Sequence, residues 1–266
     1  MPRLGLGTWR MGEKASERKA EVAALGLGLD LGLTLIDTAE MYAEGGAEEV
    51  VGEAIKNRRD EVFLISKVLP ENASRKGTIE ACERSLRHLK TGRIDLYLLH
   101  WQGAHPLRAT LDAFEQLVDD GKIRFYGVSN FDLAAMKGLA RKPNGANVVS
   151  NQVLYSLTRR GVDYDVVPWC AGQKISVMAY CPLDQGSLKE KGALKTLARR
   201  HDVAPATIAI AWTMRQAHLC SIPKATNPDH VRANAAALSV ALSEDDLAEL
   251  DRDYPPPRSK TPLAMS

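Results

Sequence analysis

Eight times along this chain a short apolar run ends in a residue that can move a proton, hydrogen-bond a polar group or stack on a flat ring. Trp9 closes the first run, Asp37 and then Tyr42 the second, Lys67 the third, and His100 with Trp101 the fourth. Ser129 and Asn130 close the fifth, Gln152 the sixth, Tyr180 the seventh and Lys224 the eighth. Asp, Tyr, Lys and His donate, accept or tune protons, and Ser, Asn and Gln supply donors and acceptors for a neutral polar ligand. Each has a plainer explanation when taken singly: Asp37 a turn cap, Tyr42 a rim aromatic, Lys67 a solvated end, His100 a satisfied polar group. A random set of loop residues would favour Gly, Asp, Asn and Ser. Asp, Lys, His and Gln gathered at the ends of apolar runs point instead to one lined pocket.

The runs themselves alternate with longer amphipathic stretches, the pattern of βαβ units on a parallel sheet. Strands are expected near Leu4 to Thr8, Leu33 to Ile36, Val62 to Ser66, Leu96 to Leu99, Ile123 to Val128, Val148 to Asn151, Ser176 to Ala179 and Leu219 to Ile222. Helices are expected over Ala47 to Lys56, where Val50, Val51, Ala54 and Ile55 make one apolar face, and over Leu107 to Asp119. Gly121 reads as a C-cap and Asp132 as a capping start. Two further stretches, Leu188 to His201 and Pro205 to Gln216, both fall between strands seven and eight, so one of them is an insertion. Pro228 to Leu238 and Ser243 to Leu250 read as helices, and Pro255, Pro256 and Pro257 force an extended tail. The predicted fold is α/β, a (β/α)8 TIM barrel, with residues 1–266 forming a single domain.

Composition agrees with that class. A chain of 266 residues, 45% hydrophobic and 26% charged, can bury one sizeable core. A net charge of +2 gives no global field toward nucleic acid or an anionic membrane. Cys82, Cys170, Cys181 and Cys220 are widely separated and show neither C-x-x-C nor metal-finger spacing, which suits buried thiols in a reducing compartment. No ligand spacing links the histidines to one another or to the cysteines, so no metal is expected. Met1 to Gly12 lacks a leader pattern, and no apolar stretch reaches roughly 18 residues. A cytoplasmic location, no membrane and a monomer are the expectations. No G-x-G-x-x-G follows a strand with an acidic residue after it, so a Rossmann nucleotide site is unsupported.

The motifs GLGTWRMG (Gly5 to Gly12), LIDTAEMY (Leu35 to Tyr42), SKV (Ser66 to Val68), LLHW (Leu98 to Trp101), GVSNF (Gly127 to Phe131), NQVLYS (Asn151 to Ser156), AYCPL (Ala179 to Leu183) and IPKAT (Ile222 to Thr226) follow one another in order over nearly the whole chain. In this the sequence resembles the aldo-keto reductases, and among them the compact bacterial methylglyoxal-type members. The resemblance implies a catalytic tetrad of Asp37, Tyr42, Lys67 and His100. Its logic can be stated in physical terms. Carbonyl reduction puts a hydride on carbon and a proton on oxygen, so an acid must stand beside that oxygen. Tyr42 can be that acid, with the Lys67 cation favouring phenolate and making the phenol more acidic, Asp37 holding the cation, and His100 orienting the oxygen or relaying the proton.

By the same resemblance Ser129, Asn130 and Gln152 hydrogen-bond the nicotinamide carboxamide and Tyr180 stacks on its ring, chemistry those side chains suit. Thr8, Trp9, Asp37, Pro182, Leu183 and Ala225 are placed along the cofactor as well. Lys224, read as opening the last helical region, meets the 2′-phosphate of NADPH, with Thr226 beside it and Asn234 on the adenine. Two departures from the family pattern stand out: His230 replaces an Arg, and Ala233 replaces a Glu. Imidazole can stack on adenine but cannot fork onto phosphate, so NADH stays possible beside NADPH. Cys181 stands where Ser is usual and either touches the pyrophosphate loop or packs.

Trp9, Tyr42, His100 and Trp101 are the expected substrate wall, for a small carbonyl compound such as methylglyoxal, another aldehyde or a keto ester. Pro255 to Leu263 either line the mouth or seal the exterior. The first residue directly before strand one suggests that the family's N-terminal hairpin is shortened or missing. Two other readings are an NADPH-holding, redox-sensing partner protein with little turnover, and a phosphate-binding barrel lyase or isomerase that binds no nicotinamide.

Overall fold

The computed structural model describes residues 1–265. Eight strands run parallel in chain order: β1 (Gly5–Gly7), β2 (Leu35–Asp37), β3 (Phe63–Val68), β4 (Ile94–Leu99), β5 (Ile123–Ser129), β6 (Ser150–Leu154), β7 (Ser176–Tyr180) and β8 (Leu219–Ser221). Leu4 bridges Ser221 in parallel, and Ser221 N–H donates to Arg3 O at 2.9 Å, so the sheet closes on itself as a barrel. Gly7 makes this closure possible. A Cβ there would stand 2.7 Å from Ile222 O, closer than β8 could tolerate.

Helices α1 (Arg18–Asp30), α2 (Gly46–Ala54), α3 (Arg75–His88), α4 (Leu107–Asp119), α5 (Leu133–Ala140) and α6 (Val166–Gly172) follow the first six strands in turn. Between β7 and β8 come both α7 (Gly192–Arg200) and α8 (Pro205–Thr213), and after β8 come α9 (Pro228–Ala236) and α10 (Glu244–Asp253). The added element of the pair is α7. It packs on α8 and α10, whereas α8 lies on β8 and against α9, which meets α1. Covered on both sides, α8 buries every residue from Thr207 to Thr213, and its sequence is accordingly apolar all round. The expected caps are present: Asp132 accepts from Ala135 N–H at 2.8 Å, and Gly121 follows α4 with a left-handed φ of 69°.

Side chains alternate between the lumen and the helical layer. Leu35, Ile65, Leu96, Leu98, Met178, Cys220 and Ile222 fill the lumen as a cluster separate from the large core between sheet and helices. Two positions after members of this cluster come Asp37, Lys67 and Tyr180 within their strands, His100 just past β4 and Lys224 on the connection after β8. The polar set therefore lies at the C-terminal end of the barrel, directly above its apolar plug.

Several expected boundaries move. Asp37, Lys67, Ser129, Gln152 and Tyr180 lie within β2, β3, β5, β6 and β7 rather than after them. A lumen-facing polar side chain leaves the backbone ladder intact, so the strand continues through it. Lys224 does not open a helix: α9 begins four residues later at Pro228, where Asn227 caps it by accepting from Asp229 N–H at 2.8 Å.

Candidate active site

Lys67 organises the barrel mouth. Its side chain is wholly buried, and its ammonium donates to Asp37 Oδ2 at 2.7 Å, Thr38 O at 2.9 Å and Tyr42 OH at 3.2 Å. Three acceptors meet the three donors an ammonium carries, so the buried cation is fully bonded. Asp37 in turn accepts from Gln152 Nε2 at 2.7 Å through its other oxygen. Parallel pairing brings these side chains together: Asp37 stands opposite Ile65 on β3, two residues before Lys67.

Tyr42 lies just beyond β2, and its ring is 4.9 Å from Trp9 and 5.8 Å from His100, both edge-on. Trp101 packs on His100 at 4.8 Å. The four expected substrate-wall residues thus form one continuous aromatic run, with Trp9 42% exposed at its outer end. His100 is buried, and no described protein group bonds its Nδ1. Burial, and then the Lys67 charge, push its imidazole down to about 2, so it is neutral at physiological pH.

The expectation of an acidified phenol needs correction. Burial first, and the Asp37 charge after it, raise Tyr42 above the ordinary tyrosine value although Lys67 pulls it down. Burial also works against the Lys67 cation, but Asp37 and Tyr42 overcome it and hold the ammonium above the usual lysine value. At neutral pH the pair is a protonated phenol beside a charged ammonium.

The residues expected to meet a cofactor divide into three groups. Ser129 and Tyr180 close β5 and β7, and Gln152 lies on β6 between them, in register with Ser129 on one side and Met178 on the other. Asn130, at a left-handed φ of 61°, has its amide committed within the protein: Nδ2 donates to His100 O and Ser129 Oγ, both at 3.1 Å, and Oδ1 accepts from Tyr180 OH at 2.9 Å. Thr8 is wholly buried, and its hydroxyl donates to Asp37 O at 3.0 Å, tying the exit of β1 to β2. Beyond β7, Cys181 (half-buried, φ 50°), Pro182 (buried) and Leu183 (half-buried) begin the connection to α7. Lys224 and His230 are exposed, Ala225 and Thr226 half-buried and Asn234 buried, all on β8 to α9.

This inventory suits a nicotinamide dinucleotide. A partly exposed aromatic ring stands beside hydroxyl and amide groups at the barrel mouth, and an exposed ammonium lies on the next connection, near a helix N-terminus that favours anions. Among the described residues no group of His, Cys, Asp and Glu could hold a metal ion, and no helix is long and apolar enough to cross a membrane.

A cavity of about 870 Å³ lies elsewhere, lined by the connections after β6 and β7 and by residues from Asp253 to Ala264, so the tail lines an open groove. Several of its charged groups pair with one another, as in Arg159 with Asp184 at 3.4 Å and Lys260 with Asp165 at 3.9 Å. The buried, mutually bonded acid–base groups converge instead at the Lys67 cluster.

Glu40 and Met178 are functional-site neighbours that sequence reasoning passes over. Met178 Sδ is 2.9 Å from Gln152 Nε2, and its position two residues before Tyr180 on β7 was the available signal.

Comparison with known proteins agrees with this geometry. A sequence profile described as "Aldo/keto reductase family" matches residues 3–254. Methylglyoxal reductase YeaE of Escherichia coli is 51% identical over 100% of this chain and 95% of its own. Glyoxal reductase of Bacillus subtilis is 34% identical over 94% of this chain and 88% of its own. An aldo/keto reductase from Klebsiella pneumoniae, solved in complex with NADP and acetate, superposes with a TM-score of 0.98 at 50% identity, covering 100% of this chain and 96% of that one. Fold, ordered motifs and these likenesses together show that the chain belongs to the aldo/keto reductase family.

Proposed function

We propose that this protein reduces small aldehydes and ketones to alcohols with NADPH, that 2-oxoaldehydes such as methylglyoxal and keto esters are among its substrates, and that Tyr42 gives the proton. The observation that carries the reading is the Lys67 ammonium, 2.7 Å from Asp37 and 3.2 Å from Tyr42, beneath an aromatic wall. The nicotinamide, when bound, supplies the hydride that reaches the carbonyl carbon.

Every other task falls to side chains of this chain. Tyr42 holds a proton until negative charge develops on the substrate oxygen, and it then passes the proton to that oxygen, because an alkoxide is a stronger base than a phenolate. Lys67 stabilises the phenolate left behind, and Asp37 with Gln152 keeps Lys67 in place. Neutral His100 hydrogen-bonds the substrate oxygen and fixes its direction without competing as an acid. Trp9 and Trp101 supply an apolar wall that suits a small carbonyl compound.

For the cofactor, Ser129 and Gln152 take the carboxamide and Tyr180 the ring face. Asn130 then acts by fixing Tyr180. Lys224 and Thr226 take the 2′-phosphate, His230 and Asn234 the adenine end, and Trp9, Pro182, Leu183 and Ala225 line the path between. Since all four tetrad members come from one chain, we read the active unit as a monomer. We place it in the cytoplasm on the strength of its scattered thiols, of which Cys82, Cys170 and Cys220 are buried and outside any disulfide.

The test is a panel of carbonyl compounds assayed with NADPH and with NADH, following cofactor absorbance. Turnover of methylglyoxal with NADPH is the expected result. Tight NADPH binding with no turnover of any member would make the protein a cofactor-holding partner, and no binding at all would end the nicotinamide reading.

A further inference from the structure

The segment carrying Tyr42 is an irregular turn that needs holding from outside. Between β2 and α2, Ala43 (φ 50°), Glu44 (φ 53°) and Gly45 (φ 93°) all lie in the left-handed region, which persists where the surroundings over-determine it. At Gly45 there is no room for a side chain, because a Cβ would stand 2.3 Å from the His88 ring.

Two carboxylates flank this turn; one reaches β3 and the other the residue directly after it. Glu40, two residues before Tyr42, accepts from Leu69 N–H at 2.7 Å and Asn72 Nδ2 at 3.0 Å through one oxygen, and from Arg84 Nη2 at 3.1 Å through the other. Its side chain is 9% exposed. Glu48, six residues after Tyr42 and wholly buried, accepts from Ser66 Oγ at 2.6 Å and pairs with His88 Nδ1 at 3.1 Å. Leu69 lies two residues after Lys67 and Ser66 directly before it. Each carboxylate therefore ties the phenol's loop to the stretch of chain that carries the ammonium.

We propose that Glu40 and Glu48 are positioning residues that set the separation between Tyr42 OH and Lys67 Nζ, and so control the rate of proton delivery without touching the substrate. The inference rests on the reading of Tyr42 as proton donor. A carboxylate suits the Glu40 position because all three of its partners are donors and only an acceptor with two oxygens serves them all. Glutamine can keep the bonds to Leu69 and Asn72 by presenting its oxygen inward. Its NH2 group would then face Arg84, which is 41% exposed and can turn to solvent. Alanine keeps none of these bonds.

The experiment measures kcat and KM for methylglyoxal, and Kd for NADPH, in the parent, Glu40→Ala, Glu40→Gln, Ser66→Ala, Tyr42→Phe and the Tyr42→Phe/Glu40→Ala double variant. Glu40→Ala is expected to lose about 10- to 100-fold in kcat with KM and Kd within about twofold, and Glu40→Gln to stay within about threefold of the parent. Ser66→Ala, which releases Glu48 from β3, is expected to lose about 3- to 10-fold in kcat. In the Tyr42→Phe background, removing Glu40 should change the residual rate by less than about twofold, because its effect runs through the missing phenol.

Parental kcat in Glu40→Ala, or an equal loss with and without the phenol, would overturn the proposal. Parental kcat in Ser66→Ala would overturn its Glu48 half. Full activity in Tyr42→Phe would instead defeat the donor assignment itself. Should Glu40→Ala fail to fold, Glu40→Asp, one methylene too short to reach Leu69, is read against the same expectations.

Discussion

Replacing Lys67 by Met leaves an unbranched chain of similar length where the ammonium was, so little volume is lost and the change isolates the charge. At 2.7 Å, with an effective dielectric of about 20, the attraction between Lys67 and Asp37 is about 6 kcal/mol before desolvation is counted. What unfolding reports is smaller. Stripping one partner from a buried pair typically costs about 3–5 kcal/mol, because the remaining charge stays buried without compensation. Here Asp37 would keep only the bond from Gln152 Nε2 at 2.7 Å. Urea unfolding followed by circular dichroism should therefore show a midpoint lower by about 1 M or more. The double variant Asp37→Asn/Lys67→Met, which removes both charges, should recover a large part of that loss while staying inactive, since Tyr42 still lacks its cation. An unchanged midpoint in the single variant, or a double variant no more stable than the single, would refute a pair held by mutual charge.

Other consequences follow from the same geometry. His100, held down to about 2 against an ordinary 6.5, is neutral in the folded state while the unfolded chain takes up its proton first. Its contribution to stability is thus present above about pH 6.5 and is lost as pH falls toward 2, at up to about 1.4 kcal/mol per pH unit. His100→Asn should flatten that slope in unfolding curves collected from pH 7 to 4, and an identical slope in both proteins would exclude the assignment. Lys224→Ala should raise KM for NADPH roughly 10- to 150-fold, the range of one hydrogen bond to a charged group, while KM for NADH hardly moves; equal effects on both would place Lys224 away from the 2′-phosphate. Asn130 has a φ of 61°, so Asn130→Gly should be more stable than Asn130→Ala by about 1–2 kcal/mol in thermal unfolding, and the reverse order would contradict the left-handed backbone.

The barrel and the members of its polar mouth were readable in the sequence because a strand writes its two faces at alternate positions. Leu35 before Asp37, Ile65 before Lys67 and Met178 before Tyr180 each pair a lumen plug with the group above it. The helix from Leu107 to Asp119 was legible to the residue, bounded by Pro106 and by Gly121. What sequence could not supply are balances and distant contacts. Whether Lys67 or burial governs Tyr42 depends on how much protein covers the ring, and no local pattern records that. Which of α7 and α8 touches the sheet is decided by packing. Asn130 was readable as a cofactor ligand, yet its amide is taken up by His100 O and by Tyr180, the latter 50 residues away. No local pattern singles out Glu40 or Glu48. Their partners Leu69 and Ser66 lie 29 and 18 positions along the chain.

The central claim, that the phenol above Lys67 delivers the proton, is tested most directly by Tyr42→Phe. Single-turnover reduction of methylglyoxal by the NADPH complex should slow by about 100- to 10,000-fold, with the Kd for NADPH within about twofold of the parent. A variant as fast as the parent would show that another group protonates the product.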